Sequence, residues 1–501
     1  MPVSLDSSSR WLDGRIVAIC LAFLCAALIA AGALMEHQPI VAAVAVLTVP
    51  AAVFFIVRPE SAVPLALFVI YTNAAVVAVR FHGVPAFAAA LAPSPLIIPL
   101  LYNVVLLRRP IVVTPVLPWI LAYIGWQLIC AMLSRDPDTS LEGVKGNILE
   151  GLLLYILVTN VVRTPHVLRM AVWALVAAGM FMSSVSVYQQ ATRSFDSDFG
   201  GFGQVSGGRG FKVADGRGVT QQRRLSGPIG EKNRYAQIML MLIPLALSRF
   251  WTERVQSMRL LGLAAACLCG MGCALTFSRS GALAFVMLVL IGLALKFVSK
   301  RQVATLFTGG LLMLMAVPQY RTRLATVPAA LSIFGASSAG REEPDGAIRG
   351  RATEMLAAGR IAVHHPIVGV GPDLSGTYTR EFGRIGGLRA LEGDRESHCM
   401  FLEIPAETGF PGLFLFMGML ATSLFTLLRG RQQTIGSNHE LEQTVSSFLL
   451  ALTGYLVMGI FLHMSYVRYF WLMLALADAC NEVIQTTVRP ASEQRPQGAI
   501  A

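Results

Sequence analysis

Charge is what this sequence has least of. Only 14% of its 501 residues are Asp, Glu, Lys or Arg, whereas 55% are hydrophobic. Mean hydropathy is +0.62. A water-soluble chain of this length would expose far more charge, and apolar runs of about twenty residues recur, so the composition describes a polytopic membrane protein. The formal charge is +11. In a membrane chain, basic residues mark cytoplasmic loops and meet lipid phosphates, so this excess does not point to nucleic acid. A cysteine framework is also missing. Cys20, Cys25, Cys130, Cys267, Cys269, Cys273 and Cys480 fall in or beside apolar runs, where a thiol behaves as a small hydrophobe, and Cys399 stands alone at a loop end. No spacing fits a zinc site or a disulfide scaffold, and no repeat period is visible.

What is present is a succession of apolar runs. After the polar segment 1–14, Ile16 to Met35 is too long for the apolar core of a signal peptide and reads as a retained first helix. Further runs lie at 38–57, 62–79, 84–107, 111–133, 147–163, 168–188, 235–250, 258–277, 280–298, 303–318, 400–427, 446–463 and 467–486. The expectation is an all-α transmembrane bundle of about 12–14 spans of about twenty residues each. Pro93, Pro95 and Pro99 should break the run at 84–107, because each removes a backbone donor. With the N-terminus in the cytoplasm, the short inner loops hold Arg108-Arg109, Arg163, Arg249 to Arg259, Lys296 to Arg301, and Arg429 with Arg431. Both long polar segments then fall on the outer face. The expected organisation is an N-terminal segment 1–14, helices over 15–188, a loop at 189–234, helices over 235–318, a large loop at 319–399, helices over 400–487 and a cytoplasmic tail 488–501.

The two outer loops carry most of the polar signal. In the first, Gly200 to Gly210 is glycine-rich, but no strand precedes it and it does not complete a nucleotide-binding glycine motif. Asp196-Ser197-Asp198 has the spacing of a metal-dependent sugar-transferase motif, yet such triplets arise by chance, and a solvated turn is the plainer reading. The second loop holds ten arginines and no lysine, nearly balanced by nine carboxylates. Arginine's planar fork suits bidentate contact with phosphate or carboxylate, although most of these arginines can pair with the loop's own acids. Arg349 to His365 has helical composition that Pro366 stops. His364-His365 reads as the helix end, since adjacent residues on a helix point apart.

Four basic residues stand where polar loops meet apolar runs: Arg224, Arg279, Arg351 and His398. A charge held near hydrocarbon is costly unless it is paired or functional. For Arg224 and Arg279 the plainer alternative is an arginine snorkelling to lipid phosphate. For His398 it is a hydrogen-bonded histidine at a helix start. Its functional reading is a general base, because imidazole titrates near working pH. Glu403 and Glu407, four apart, share a helical face, though Pro405 and Gly409 can bend the helix. Spacing alone pairs neither with His398.

Three stretches together resemble the O-antigen ligase and O-antigen polymerase superfamily of bacterial envelope proteins. They are Arg224-Leu225-Ser226-Gly227 through Asn233 to Pro244; Thr276 to Gly281 with Leu283; and His365 to Pro372 followed by His398, Glu407-Thr408-Gly409 and Gly412. Cys399 departs from the Asn or Ser often found after that histidine. The resemblance covers roughly residues 145–465. It implies a metal-independent, cofactor-free transferase at the periplasmic face of the inner membrane, its two large loops periplasmic. The donor would be a glycan on undecaprenyl pyrophosphate, and the acceptor a hydroxyl on a sugar, on lipid A-core or on protein. His398 would be the base, Arg224, Arg279 and Arg351 would bind pyrophosphate, and Asn233 and Glu407 would support them. The rival is a flippase or transporter of lipid-linked sugars. Such proteins carry ionisable residues at mid-membrane, which these runs almost lack.

Overall fold

The computed structural model describes residues 54–55, 57–206, 211–215, 218–297, 299, 302, 304, 308–310, 346–384, 395–464 and 466–488. The expected span at 16–35, most of those at 38–57 and 303–318, and the C-terminal tail beyond 488 lie outside these residues.

Apolar sequence makes helices, as the composition demands. In chain order they are α1 (Ala62–Tyr71), α2 (Ala74–His82), α3 (Ala86–Ala90), α4 (Ile97–Leu101), α5 (Leu117–Met132), α6 (Pro137–Val161), α7 (Pro165–Thr192), α8 (Lys232–Thr252), α9 (Gln256–Leu275), α10 (Arg279–Ala294), α11 (Gly346–His364), α12 (Ser375–Arg384), α13 (Met400–Thr434), α14 (His439–Gly459) and α15 (Val467–Val488). By length and composition α6, α7, α9, α13 and α14 can each cross a membrane. Pro59–Tyr71 and α2 pass the same test only together, as a pair bent by 53° that has the form of a broken span or a re-entrant loop. The run at 84–107 is broken as its prolines require, into α3, a single 3-10 turn, α4 and a π-helical turn.

Two helices expected to be spans are different in kind. α8 and α15 carry charge and polar groups, yet α8 is buried throughout from Asn233 to Arg249. It packs against α9 and α14. Burial on all sides lets such a helix hold groups that lipid would reject. α15 holds Asp478 deep in the bundle, where the Tyr155 hydroxyl and the Ser423 hydroxyl both donate to it, each at 2.7 Å. Nothing in the local sequence pattern marks this carboxylate. Its donors come from α6 and α13, so it ties three helices together.

α6 starts earlier than expected, inside the stretch read as an outer connection. Asp136 caps it by accepting from Thr139 N at 3.2 Å, with Pro137 at the first helical position. Its middle, Asn147–Leu153, widens to a π-helical turn. The first outer loop is not only irregular glycine-rich chain. β2 (Phe211–Asp215) pairs antiparallel with β3 (Gly218–Gln222), and β1 (Gln204–Val205) pairs with β4 (Leu225–Gly227).

α13 is broken at Gly409, whose φ of 67° and ψ of −178° only glycine adopts readily. A Cβ there would also run into the Ile367 carbonyl. The break frees backbone groups, and the turn after α11 takes them up. Val370 N donates to Ala406 O, Gly371 N donates to Glu407 O, and Phe410 N donates to Pro366 O, at 2.8–2.9 Å. Trp126 Nε1 of α5 donates to Thr408 O at 2.8 Å. A buried backbone group needs such a partner, so the loop helix is fixed to the bundle by its main chain.

Candidate functional site

One end of the bundle gathers the candidate residues. His398 lies just before α13, in a stretch held by Ser397 Oγ donating to Cys399 O and by Met400 N donating to Leu462 O. Its Nδ1 stands 2.7 Å from Glu354 Oε2. Glu354 is on α11 and its side chain is only 2% exposed. Its other oxygen, Oε1, faces Arg395 Nη1 at 3.4 Å. Arg351 lies one turn before Glu354, so the two share a helical face. Helical spacing pairs neither Glu403 nor Glu407 with His398, and Glu354, on another helix, gives no local signal of the contact.

A second histidine–carboxylate pair lies beside the first. His463 Nε2 is 2.5 Å from Glu396 Oε2, and the His398 and His463 rings are 5.8 Å apart between centroids. The hydrogen bond from His463 holds the Glu396 carboxyl below the usual carboxylate range. Asp373 moves the other way, pushed up first by burial and then by the nearby Glu396 charge.

The two long loops meet here. Arg234, buried at the start of α8, donates to the His463 carbonyl and to Gln237 Oε1. Tyr466 Oη donates to Ile229 O at 3.0 Å. His463 thus touches the first loop's end through its carbonyl and the second loop through its ring.

Arg224 sits against the turn that bears Arg279. Its Nε donates to Thr276 O at 3.0 Å and its Nη2 to Phe277 O at 3.1 Å. These are carbonyls at the C-terminal end of α9, where a cation is favoured. Arg279 opens α10, capped by the Ser278 hydroxyl. Asn233 links the same turn to α8: its Oδ1 accepts from Ser278 Oγ at 2.9 Å, while its Nδ2 donates to Glu231. Arg224, Arg279 and Asn233 therefore form one cluster. Glu407 lies on α13 before the break and accepts from Ser375 Oγ at 2.8 Å.

Beside Glu396, Glu407 and His463 opens a cavity of ≈ 310 Å³, lined by residues of α5, α6, α13, the turn after α11 and the start of α15 with the turn before it. Glu396, Glu403, Glu407 and His463 are in its wall.

Residues 264–417 match the family model described as O-antigen ligase. This stretch is similar to the O-antigen ligase family. The match spans Arg279, Arg351, Glu354, His398 and Glu407, and it stops short of Arg224, Asn233 and His463. No curated protein matches the chain. The match covers under a third of the chain, and it supports an O-antigen ligase-type role in polysaccharide biosynthesis. With the apolar helices around the matched stretch, the chain is a multi-pass membrane protein.

Proposed function

We propose that the protein transfers a glycan from undecaprenyl pyrophosphate to an acceptor hydroxyl, at the periplasmic face of the bacterial inner membrane. The observation that carries this is the His398–Glu354 pair, placed where both outer loops converge. A carboxylate at Nδ1 fixes the tautomer with its proton on that nitrogen and leaves Nε2 as the acceptor. Nε2 takes the acceptor's hydroxyl proton as its oxygen bonds the anomeric carbon. The bond from that carbon to the pyrophosphate oxygen breaks, and the lipid pyrophosphate leaves with the electron pair. Configuration at the anomeric carbon inverts. The imidazolium that forms is stabilised by Glu354 until it returns its proton to solvent.

The leaving group gains negative charge, which arginines can offset at headgroup level. Arg279 is the principal ligand in this reading. Arg224 spends two donors on backbone carbonyls, so it shares the anion while holding the Arg279 turn in place. Arg351 approaches from the loop helix, Asn233 positions the Ser278 turn, and Glu407 supports the far wall. The chemistry needs no metal, nucleotide or other cofactor, since the pyrophosphate linkage supplies the energy.

The test is transfer by purified protein supplied with undecaprenyl-pyrophosphate-linked glycan and with sugar, lipid A-core and peptide acceptors. Transfer by the wild type that is lost in both His398→Ala and Arg279→Ala is expected. Normal transfer by His398→Ala would overturn the assignment.

A further inference from the structure

The ≈ 310 Å³ cavity is of a size that holds a small ligand, about 300–1,000 Å³ being usual. Its wall carries six carboxylates: Glu142, Glu150, Asp373, Glu396, Glu403 and Glu407. Three of them face bases, Glu150 with Arg468 at 3.0 Å, Glu396 with His463, and Glu142 with Lys145 at 3.0 Å. The deepest two do not rely on cations. Glu403 Oε2 accepts from Met464 N at 2.6 Å, and Glu407 Oε1 accepts from Ser375 Oγ. A second kind of acceptor points the same way. Gln127 is 3% exposed and lines the cavity, and its Oε1 has no partner. A buried acceptor without a donor is destabilising, so a ligand that brings donors would complete this wall.

That requirement separates the two substrates. A pyrophosphate offers acceptors and negative charge, and this wall would repel it. A sugar offers several hydroxyl donors, and an amino sugar adds an ammonium. Among the described residues, no three His, Cys, Asp or Glu side chains converge as a metal ion would need. Position agrees with chemistry, since Glu396 and His463 join the cavity wall to the His398 ring.

We propose that this cavity binds the saccharide of the acceptor, and that it favours hydroxyl-rich, uncharged or amine-bearing sugars over phosphorylated ones. The inference rests on the transfer reading, in which an acceptor must lie beside the base. The donor pyrophosphate then occupies the Arg279 cluster, and opposite charges at the two subsites keep the substrates from exchanging places.

The experiment measures binding to the full chain in lipid nanodiscs by saturation-transfer NMR and calorimetry. The probes are a glucosamine disaccharide, its N-acetylated form, its 6-phosphate and inorganic pyrophosphate. The expected result is that the first two bind and the phosphate ester binds at least tenfold more weakly. Glu403→Gln, Glu407→Gln and Gln127→Leu should each weaken the disaccharide about tenfold, and Glu403→Gln and Gln127→Leu should leave pyrophosphate affinity unchanged. Gln keeps an amide oxygen for the Met464 and Ser375 donors, and Gln127→Leu leaves the charge untouched, so loss of fold does not mimic the effect. Disaccharide binding that is absent, or unchanged in all three variants, or competed by pyrophosphate, would overturn the proposal. Transfer that survives such an outcome would leave the transfer reading standing. Sugar binding as expected in a protein that transfers nothing would do the reverse.

Discussion

The two ends of α8 treat buried charge in opposite ways. They are about 30 Å apart, the length of a helix of this size. At the Thr252 end, Arg249 is 1% exposed and meets Glu440 Oε1 at 3.1 Å and Thr444 Oγ1 at 2.5 Å. Glu253, also 1% exposed, is clasped by Arg169 and by Trp173 Nε1. The two buried charges are answered by opposite charges, although Arg249 Nε itself has no acceptor, and the cavity among them is only ≈ 40 Å³. At the Lys232 end, the carboxylates Glu403 and Glu407 face a cavity of ≈ 310 Å³, and two histidine–carboxylate pairs stand at its edge. The first end uses charge as a strut between α7, α8 and α14. The second holds charge where something else must complete it, which is the mark of a working site.

Breaking the strut should have the largest effect. Arg249→Ala leaves Glu253 buried with less compensation, and a loss of roughly 3–5 kcal/mol is expected. Unfolding in detergent measures it, and a shift below about 1 kcal/mol would show that this end is not a strut. Next is the joint that carries the loop helix. Gly409→Ala forces a side chain into a backbone conformation that only glycine tolerates, costing about 1–3 kcal/mol before any clash with Ile367. Loss of transfer should accompany it, because Glu354 is delivered by that joint.

At the working end, stability and activity should part. Glu354→Gln is expected to leave the unfolding midpoint nearly unchanged and to lower transfer about a hundredfold, near 2.7 kcal/mol of barrier. The pH profile sharpens this test. The variant should lose the base's limb or shift it, which a merely structural role for Glu354 would not do. The smallest effect concerns Glu396. Its carboxyl is held below its ordinary range, so the His463 contact contributes stability above that range. The contribution is lost as pH falls through the lowered value. A thermal-shift series from neutral pH to about 3 should therefore converge for wild type and His463→Gln at the acid end. Curves that stay parallel throughout would show that the pair contributes no pH-dependent stability.

The helices were legible because lipid imposes a uniform rule on sequence, and Pro93, Pro95 and Pro99 marked their own break. The start of α6 was misplaced because Asp136-Pro137, a helix-start signal, was outweighed by the polarity of the next residues, Asp138 to Lys145. The register of β2 and β3 leaves Gly216-Arg217 between the strands, a Gly-first pair of the kind hairpins use, but the surrounding glycines hid it. His398, Arg279 and Glu407 stood out because each is a polar group at an apolar boundary. Their partners did not. Glu354 lies 44 residues before His398 in sequence, on another helix, and His463 sat at the end of an apolar run. Local periodicity cannot report a contact made by tertiary packing alone.

The seam between the turn at 366–371 and the break in α13 is made by main-chain groups, and Met400 N adds a similar link to Leu462 O. Side chains can therefore drift along these links, whereas a single inserted residue would throw the ladder out of step. The stretch between the two anchors carries Glu396 and His398, each paired to a residue of another element, so it is tied down near its end as well as at its anchors. The architecture is a chassis whose couplings keep the loop in register with the bundle.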